Sequence, residues 1–289
     1  PPNAPLIIVE PGMGDSHLSW KHLQQLITTA GLAQVLLYDR AGLGRSDSPS
    51  TSPSTPRTAT TMAHELDLLL TAANIPGPYI IVTHSYGGII AREFLALREP
   101  DIAGMVFVDA EQEDTSLVMD VPWETLHSLL GEMDYYSIVA LDTEHVFSNT
   151  DWEEIKAESS RPSTKNTSDL EGAESKSSCA ALREKQQLQK RVLGRKPVGV
   201  LKGNSVRDYQ RIYEAVVTAG RGTEAERALM RGVIERLRTK EEGLQRGVLE
   251  LSEVRRFEVV ETGHNVQLTR PESIMEMVRW VLERCNGGY

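Results

Sequence analysis

Tyr79-Ile80-Ile81-Val82-Thr83-His84-Ser85-Tyr86-Gly87-Gly88-Ile89-Ile90-Ala91-Arg92-Glu93-Phe94-Leu95 is the stretch that decides the architecture. The apolar, largely β-branched run 79–82 reads as a buried strand and 89–95 as a helix, so the residues between them leave room only for a sharp turn at Ser85. A serine there is lifted clear of the backbone and held in a strained conformation. Side chains two positions before and after it nearly collide, which calls for small residues such as Thr83 and Gly87.

Working outward, the same alternation repeats. Pro5-Leu6-Ile7-Ile8-Val9-Glu10 is a short apolar strand closed by Pro11-Gly12-Met13-Gly14, and Leu18 to Ile27 has helical spacing. Gln34 to Asp39 predicts a second strand, followed by Arg40-Ala41-Gly42-Leu43-Gly44-Arg45-Ser46-Asp47 and a Pro/Ser/Thr loop from Ser48 to Thr60. A helix through Met62, Leu66, Leu69 and Leu70 leads to the central stretch, and Gly104 to Asp109 gives the next strand. Nearly continuous apolar strands alternating with helices predict a parallel sheet covered on both faces. The rhythm is lost from Ala110 to about Lys196. There Trp123–Leu130 and Leu182–Val192 look helical, while 158–180 reads as a mobile Ser/Glu/Lys-rich loop. Strand spacing resumes at Pro197 to Gly203. A long charged helix is expected from about Tyr209 to Leu249, then a last strand at Phe257–Val260 and an amphipathic helix from Pro271 to Leu282.

Composition narrows the function classes. A chain of 289 residues with 40% hydrophobic content can build a sizeable core, and a formal charge of −10 argues against nucleic acid or an anionic membrane as partner. The Lys/Arg cluster from Arg183 to Lys196 is interrupted by Glu184 and glutamines and reads as a solvated helix face. Two cysteines, Cys179 and Cys285, make no disulfide framework, and no Cys/His spacing suggests a metal. No apolar run reaches the ~18 residues a transmembrane helix needs. The chain opens on Pro1 and enters a strand almost at once, as it would if a leader or hairpin had been removed. The compartment therefore stays open, with the cytoplasm favoured. Asn166-Thr167-Ser168 is a glycosylation triplet in a stretch read as loop, a pattern frequent by chance. Gly12-x-Gly14 lacks the third glycine of a dinucleotide site, so no cofactor is expected.

An alcohol is a weak nucleophile at neutral pH, so a catalytic serine needs a base within hydrogen-bond reach and a third group to orient it. His264, in Thr262-Gly263-His264-Asn265 just after the last strand, is the candidate base. The remaining histidines read as surface, lid or, for His84, supporting residues. Taken in order, the strand-Ser85-helix turn, the loop Asp39 to Asp47, the interruption 111–196 and the late Gly263-His264 before a Pro-led helix resemble the α/β-hydrolases along essentially the whole chain. The resemblance implies an α/β-hydrolase fold with a mostly parallel, doubly wound sheet. A helical lid, 111–196, would be inserted after the strand counted sixth in the family, into a core of 1–110 and 197–289.

It also implies a metal-independent serine hydrolase. Ser85 would attack an ester, lactone or similar acyl bond of a small, hydrophobic substrate through an acyl-enzyme. Most family members carry the orienting acid after the seventh strand, here 198–202, but that slot holds Ser205 or Val206, with Asp208 falling late. Asp109 ends the sixth strand, 24 positions after Ser85 (109 − 85), where a minority of the family places its acid. Asp109 is therefore favoured, with Asp208 and Glu111 as alternatives. The oxyanion hole would come from the N–H of Tyr86 and that of Gly12 or Met13. Pro11 stands where the family commonly has histidine, leaving Glu10 or Asp15 as the candidate brace of that loop. Trp123, Leu126, Leu129, Met133, Tyr135, Tyr136 and Trp152 either line the pocket or form the lid's own core, the latter favoured for most. A ligand-binding protein of the same fold and a non-hydrolytic carbon–carbon lyase or cyclase are the competing functions.

Overall fold

In the computed structural model, which describes residues 5–48 and 56–286, the apolar runs form six strands. They are β1 (Leu6–Glu10), β2 (Val35–Leu36), β3 (Tyr79–His84), β4 (Ile102–Val108), β5 (Val198–Lys202) and β6 (Arg255–Val259). All pair in parallel, in the order β2-β1-β3-β4-β5-β6. Because successive side chains point to opposite faces, one chain supplies two cores. Ile7, Val9, Ile80, Val82, Val106 and Val108 meet the helices Lys21–Thr29 and Pro271–Asn286 on one side. Ile8, Tyr79, Ile81, Met105, Phe107 and Val200 meet Ala59–Ala72 and Gly87–Arg98 on the other. The chain runs from β1 outward to β2 and then returns to the other side of β1 as β3. The loops after β1 and β3 therefore diverge at a topological switch point, where sheets of this kind bind ligands.

Several expectations change. The predicted strand 34–39 is paired only over Val35–Leu36, because beyond it Tyr38 and Asp39 turn to side-chain partners: the Tyr38 hydroxyl donates to Glu10 and Asp39 accepts from His17. The long helix predicted over 209–249 is two helices, Ser205–Thr218 and Glu224–Gly247, broken where Gly220 and Gly222 take φ of 66° and 74°. A Thr223/Glu226 capping box restarts the second. The stretch read as a mobile loop is helical: Asn149–Ser160, Pro162–Ala173 and Ser175–Glu184. Its middle buries Glu158, Thr164, Thr167 and Glu171, and the buried apolar residues Trp152, Ile155, Cys179 and Leu182 fall only towards its two ends, so no continuous hydrophobic period marks it. The glycosylation triplet consequently lies on a helix, with Thr167 buried and donating to the Gly42 carbonyl. Of the Pro/Ser/Thr loop, residues 49–55 lie outside the described residues.

Between β4 and β5 the chain forms only helices, among them Trp123–Leu130, which matches its expected bounds. Leu126, Leu129, Val139, Leu141, Trp152 and Ile155 share a core with Ile212, Val216 and Met230 of the two later helices. No helix among the described residues is long and apolar enough to cross a membrane.

Candidate active site

Ser85 sits between β3 and the helix Gly87–Arg98 with φ 51°, a left-handed backbone rare outside glycine. The turn is held from outside: the Ser85 carbonyl accepts from the N–H of Gly88 at 2.9 Å and of Glu111 at 2.8 Å. A Cβ on Gly87 would stand 2.5 Å from the carbonyl oxygens of both Glu10 and Pro11, so only glycine lets the helix start pack against the loop after β1. That loop comes close enough that a Cβ on Gly12 would lie 3.2 Å from the Ser85 Cβ. Tyr86 is fully buried at the helix N-terminus. Among the described residues neither its N–H nor that of Met13 is engaged in a hydrogen bond.

His264 follows β6, and its Nδ1–H donates to Asp109 Oδ2 at 2.6 Å. Asp109, at the end of β4 with φ 41°, is 3% exposed. Its other contacts are the Gly203 N–H on Oδ1 at 2.9 Å and the Ser205 hydroxyl on Oδ2 at 3.0 Å. Burial alone would raise the Asp109 carboxyl, but the hydrogen bond and charge of His264, with Lys202 behind, hold it below the ordinary value. For His264 the signs reverse. Burial pushes the ring down, and Asp109 outweighs it, leaving the pKa above 6.5. Asp208 does not meet the ring; its Oδ2 accepts the backbone N–H of His264 at 2.8 Å. Glu111 gives its N–H to Ser85, and its carboxyl is raised by burial. Of the three acids weighed from sequence, Asp109 is the one bonded to the imidazole. His84 is neutral, its pKa driven to about 3 by burial and by His264, and its Nε2–H donates to the His264 carbonyl at 3.1 Å.

The loop after β1 is braced mainly by a residue the sequence did not single out. Arg40 donates from Nη1 to Glu10 Oε1 at 2.8 Å and to the Pro11 carbonyl at 2.9 Å, and from Nη2 to the Gly12 carbonyl at 2.6 Å. Glu10 is the first of the two expected braces, and burial pushes its carboxyl up to about 7 against the pull of Arg40. Asp15, the second, accepts from the Ser19 hydroxyl at 2.6 Å and Trp20 Nε1 at 3.0 Å, fixing the turn that follows.

A model of the alpha/beta hydrolase family matches residues 6–276. The chain belongs to the alpha/beta hydrolase family. An AB hydrolase superfamily protein of Gibberella zeae is 34% identical over 293 residues, covering 98% of this chain and 87% of that protein. A Hormonema carpetanum protein described as a probable transporter is 31% identical over 292 residues, covering 98% of this chain and 40% of that longer protein. An esterase from Thermogutta terrifontis superimposes with TM-score 0.61 at 15% identity over 97% of this chain and 90% of its own, a likeness of fold.

In this alpha/beta hydrolase Ser85 and His264 line one cavity of about 230 Å³ together with Gly12 and Met13. Tyr135 and Tyr136 reach it from the helices after β4. The other aromatic and apolar candidates of that segment lie elsewhere: Leu126, Leu129 and Trp152 in its core, Met133 in a separate groove, and Trp123 54% exposed. Leu141, Ile155, Glu158 and Ser159 line the cavity and were not singled out from sequence. The last two fall in the stretch whose polar composition reads as loop. Among the described residues no group of three or more His, Cys, Asp or Glu side chains is gathered so as to hold a metal ion.

Proposed function

We propose that the chain is a serine hydrolase acting on an ester, lactone or similar acyl bond of a small molecule. Ser85 Oγ attacks the acyl carbonyl while His264 Nε2 takes its proton, and Asp109 holds the imidazole in the tautomer with Nδ1–H and stabilises the imidazolium. The oxyanion accepts from the N–H of Tyr86 and that of Met13 or Gly12, and the protonated His264 then returns its proton to the leaving oxygen. Water, activated by the same histidine, releases the acyl group and restores Ser85. The helices of 111–196 act as a lid whose inner wall, with Tyr135, Tyr136 and Ile155, bounds the substrate.

The observation that carries this reading is the 2.6 Å bond from His264 Nδ1 to a buried Asp109, with His264 and the strained Ser85 on one cavity wall. A cavity of about 230 Å³ favours a compact acyl or alcohol group over a long chain. Labelling by a fluorophosphonate probe tests the assignment. Wild type is expected to label, and Ser85→Ala and His264→Ala to lose labelling. Labelling that persists in Ser85→Ala would remove Ser85 as nucleophile.

A further inference from the structure

Arg40 uses all its remaining donors on one residue of the inserted segment. Its Nε donates to Glu171 Oε1 at 2.9 Å and its Nη2 to Glu171 Oε2 at 2.9 Å, a bidentate pair in which both side chains are essentially inaccessible to solvent. Glu171 Oε2 also accepts the backbone N–H of Gly14 at 3.1 Å. The two carboxylate oxygens thus grip both ends of the loop after β1: the Gly14 peptide directly, and the Pro11 and Gly12 carbonyls through Arg40. Glu171 stands on Pro162–Ala173, a helix far in sequence from that loop, and is fully buried at 0% exposure. A bare carboxylate would be costly to bury in this way, so the helix is committed to the loop as long as the site is assembled.

We propose that Glu171 is a positioning residue: the inserted segment uses it to set the backbone of Gly12–Gly14, and with it the oxyanion donor, so the hole is complete only when the segment is docked. The inference rests on the serine-hydrolase reading above. A loop shifted by a fraction of an ångström keeps ground-state contacts but misaims an N–H meant for the developing negative charge.

The test uses p-nitrophenyl butyrate, with active sites counted by fluorophosphonate titration so that misfolded protein drops out of the rate. Glu171→Gln keeps the volume and removes the charge. Expected are a kcat per titrated site about 10- to 100-fold lower, KM within about twofold, and a matching loss of affinity for a trifluoromethyl ketone. Arg183→Met removes contacts made within the same segment, the bonds to Asp114 at 2.8 Å and to the Glu113 carbonyl, and is expected to lower the melting temperature with kcat per site unchanged. Should Glu171→Gln not fold, Glu171→Asp, shorter by one methylene, is read in the same way. A kcat per site equal to wild type in the folded Glu171 variant overturns the proposal. If wild type itself does not label at Ser85, the serine-hydrolase reading fails first and this inference falls with it.

Discussion

Two carboxylates, Asp109 and Asp208, converge on His264. Asp109 meets the His264 ring and Asp208 its backbone N–H. Under the proposed mechanism Asp109→Asn leaves the geometry but favours the wrong imidazole tautomer, and kcat should fall by ~10³ or more. Asp208→Asn can still accept from the peptide, and its kcat should fall by no more than about 10-fold. Steady-state turnover of an activated ester separates the two. The pH profile follows from the sign of the His264 shift. In the proposed mechanism only neutral His264 can accept the Ser85 proton, and its pKa lies above 6.5, so kcat/KM should fall on the acid side with a midpoint above that value. In Asp109→Asn the midpoint should move down, because the partner that raises the pKa is gone. Ser85 and His264 were legible because each sits at a turn that follows a recognisable strand. Choosing among the acids was not a local matter, since Asp109 reaches His264 across 155 positions of sequence.

The strand ends carry the site by close backbone packing. A Cβ on Gly203 would lie 2.4 Å from the Gly263 carbonyl oxygen, and the Gly203 N–H holds Asp109 Oδ1. Gly203→Ala should therefore separate the loops after β5 and β6, costing about 1–3 kcal/mol in urea unfolding and lowering kcat/KM together with it. Thr83, opposite Gly87 on the elbow, has a buried hydroxyl with no hydrogen-bond partner. The isosteric Thr83→Val removes that unsatisfied group, and thermal unfolding should show it more stable by about 1 kcal/mol, with turnover unchanged. Strands β1, β3, β4 and β5 were readable from composition because burial on both faces demands apolar runs. The edge strand β2 is shorter than its apolar run because Tyr38 and Asp39 beyond it bond to Glu10 and His17. The helical character of 158–180 is hidden in the sequence because Glu158, Thr164, Thr167 and Glu171 face inward there as polar groups bonded to loops of the core or to one another.

At the scale of the molecule, the segment between β4 and β5 is tied to the core by charges buried in pairs. Arg92, fully buried on the helix after the elbow, donates to Glu113 and, at 3.0 Å, to Gln187, whose amide returns a bond to the Arg92 carbonyl at 2.8 Å. Arg92→Met strands the Glu113 carboxylate in the interior, and the urea midpoint should report a loss of about 3–5 kcal/mol. The same segment shares its apolar core with Ser205–Thr218 and Glu224–Gly247, so the helices after β5 support it as much as they cover the sheet.

What the sequence determined by itself is the alternation of strands and helices, the turn at Ser85 and the late His264, because periodicity, glycine and proline act within a few residues of themselves. Only the tertiary structure decided the rest: that Asp109 meets the imidazole, that Arg40 and Glu171 brace the loop after β1, and that a polar stretch is helical. Each of those rests on a carboxylate buried against a partner distant in the chain. Such pairing leaves no periodic mark, because its energy depends on removal from water in the folded state.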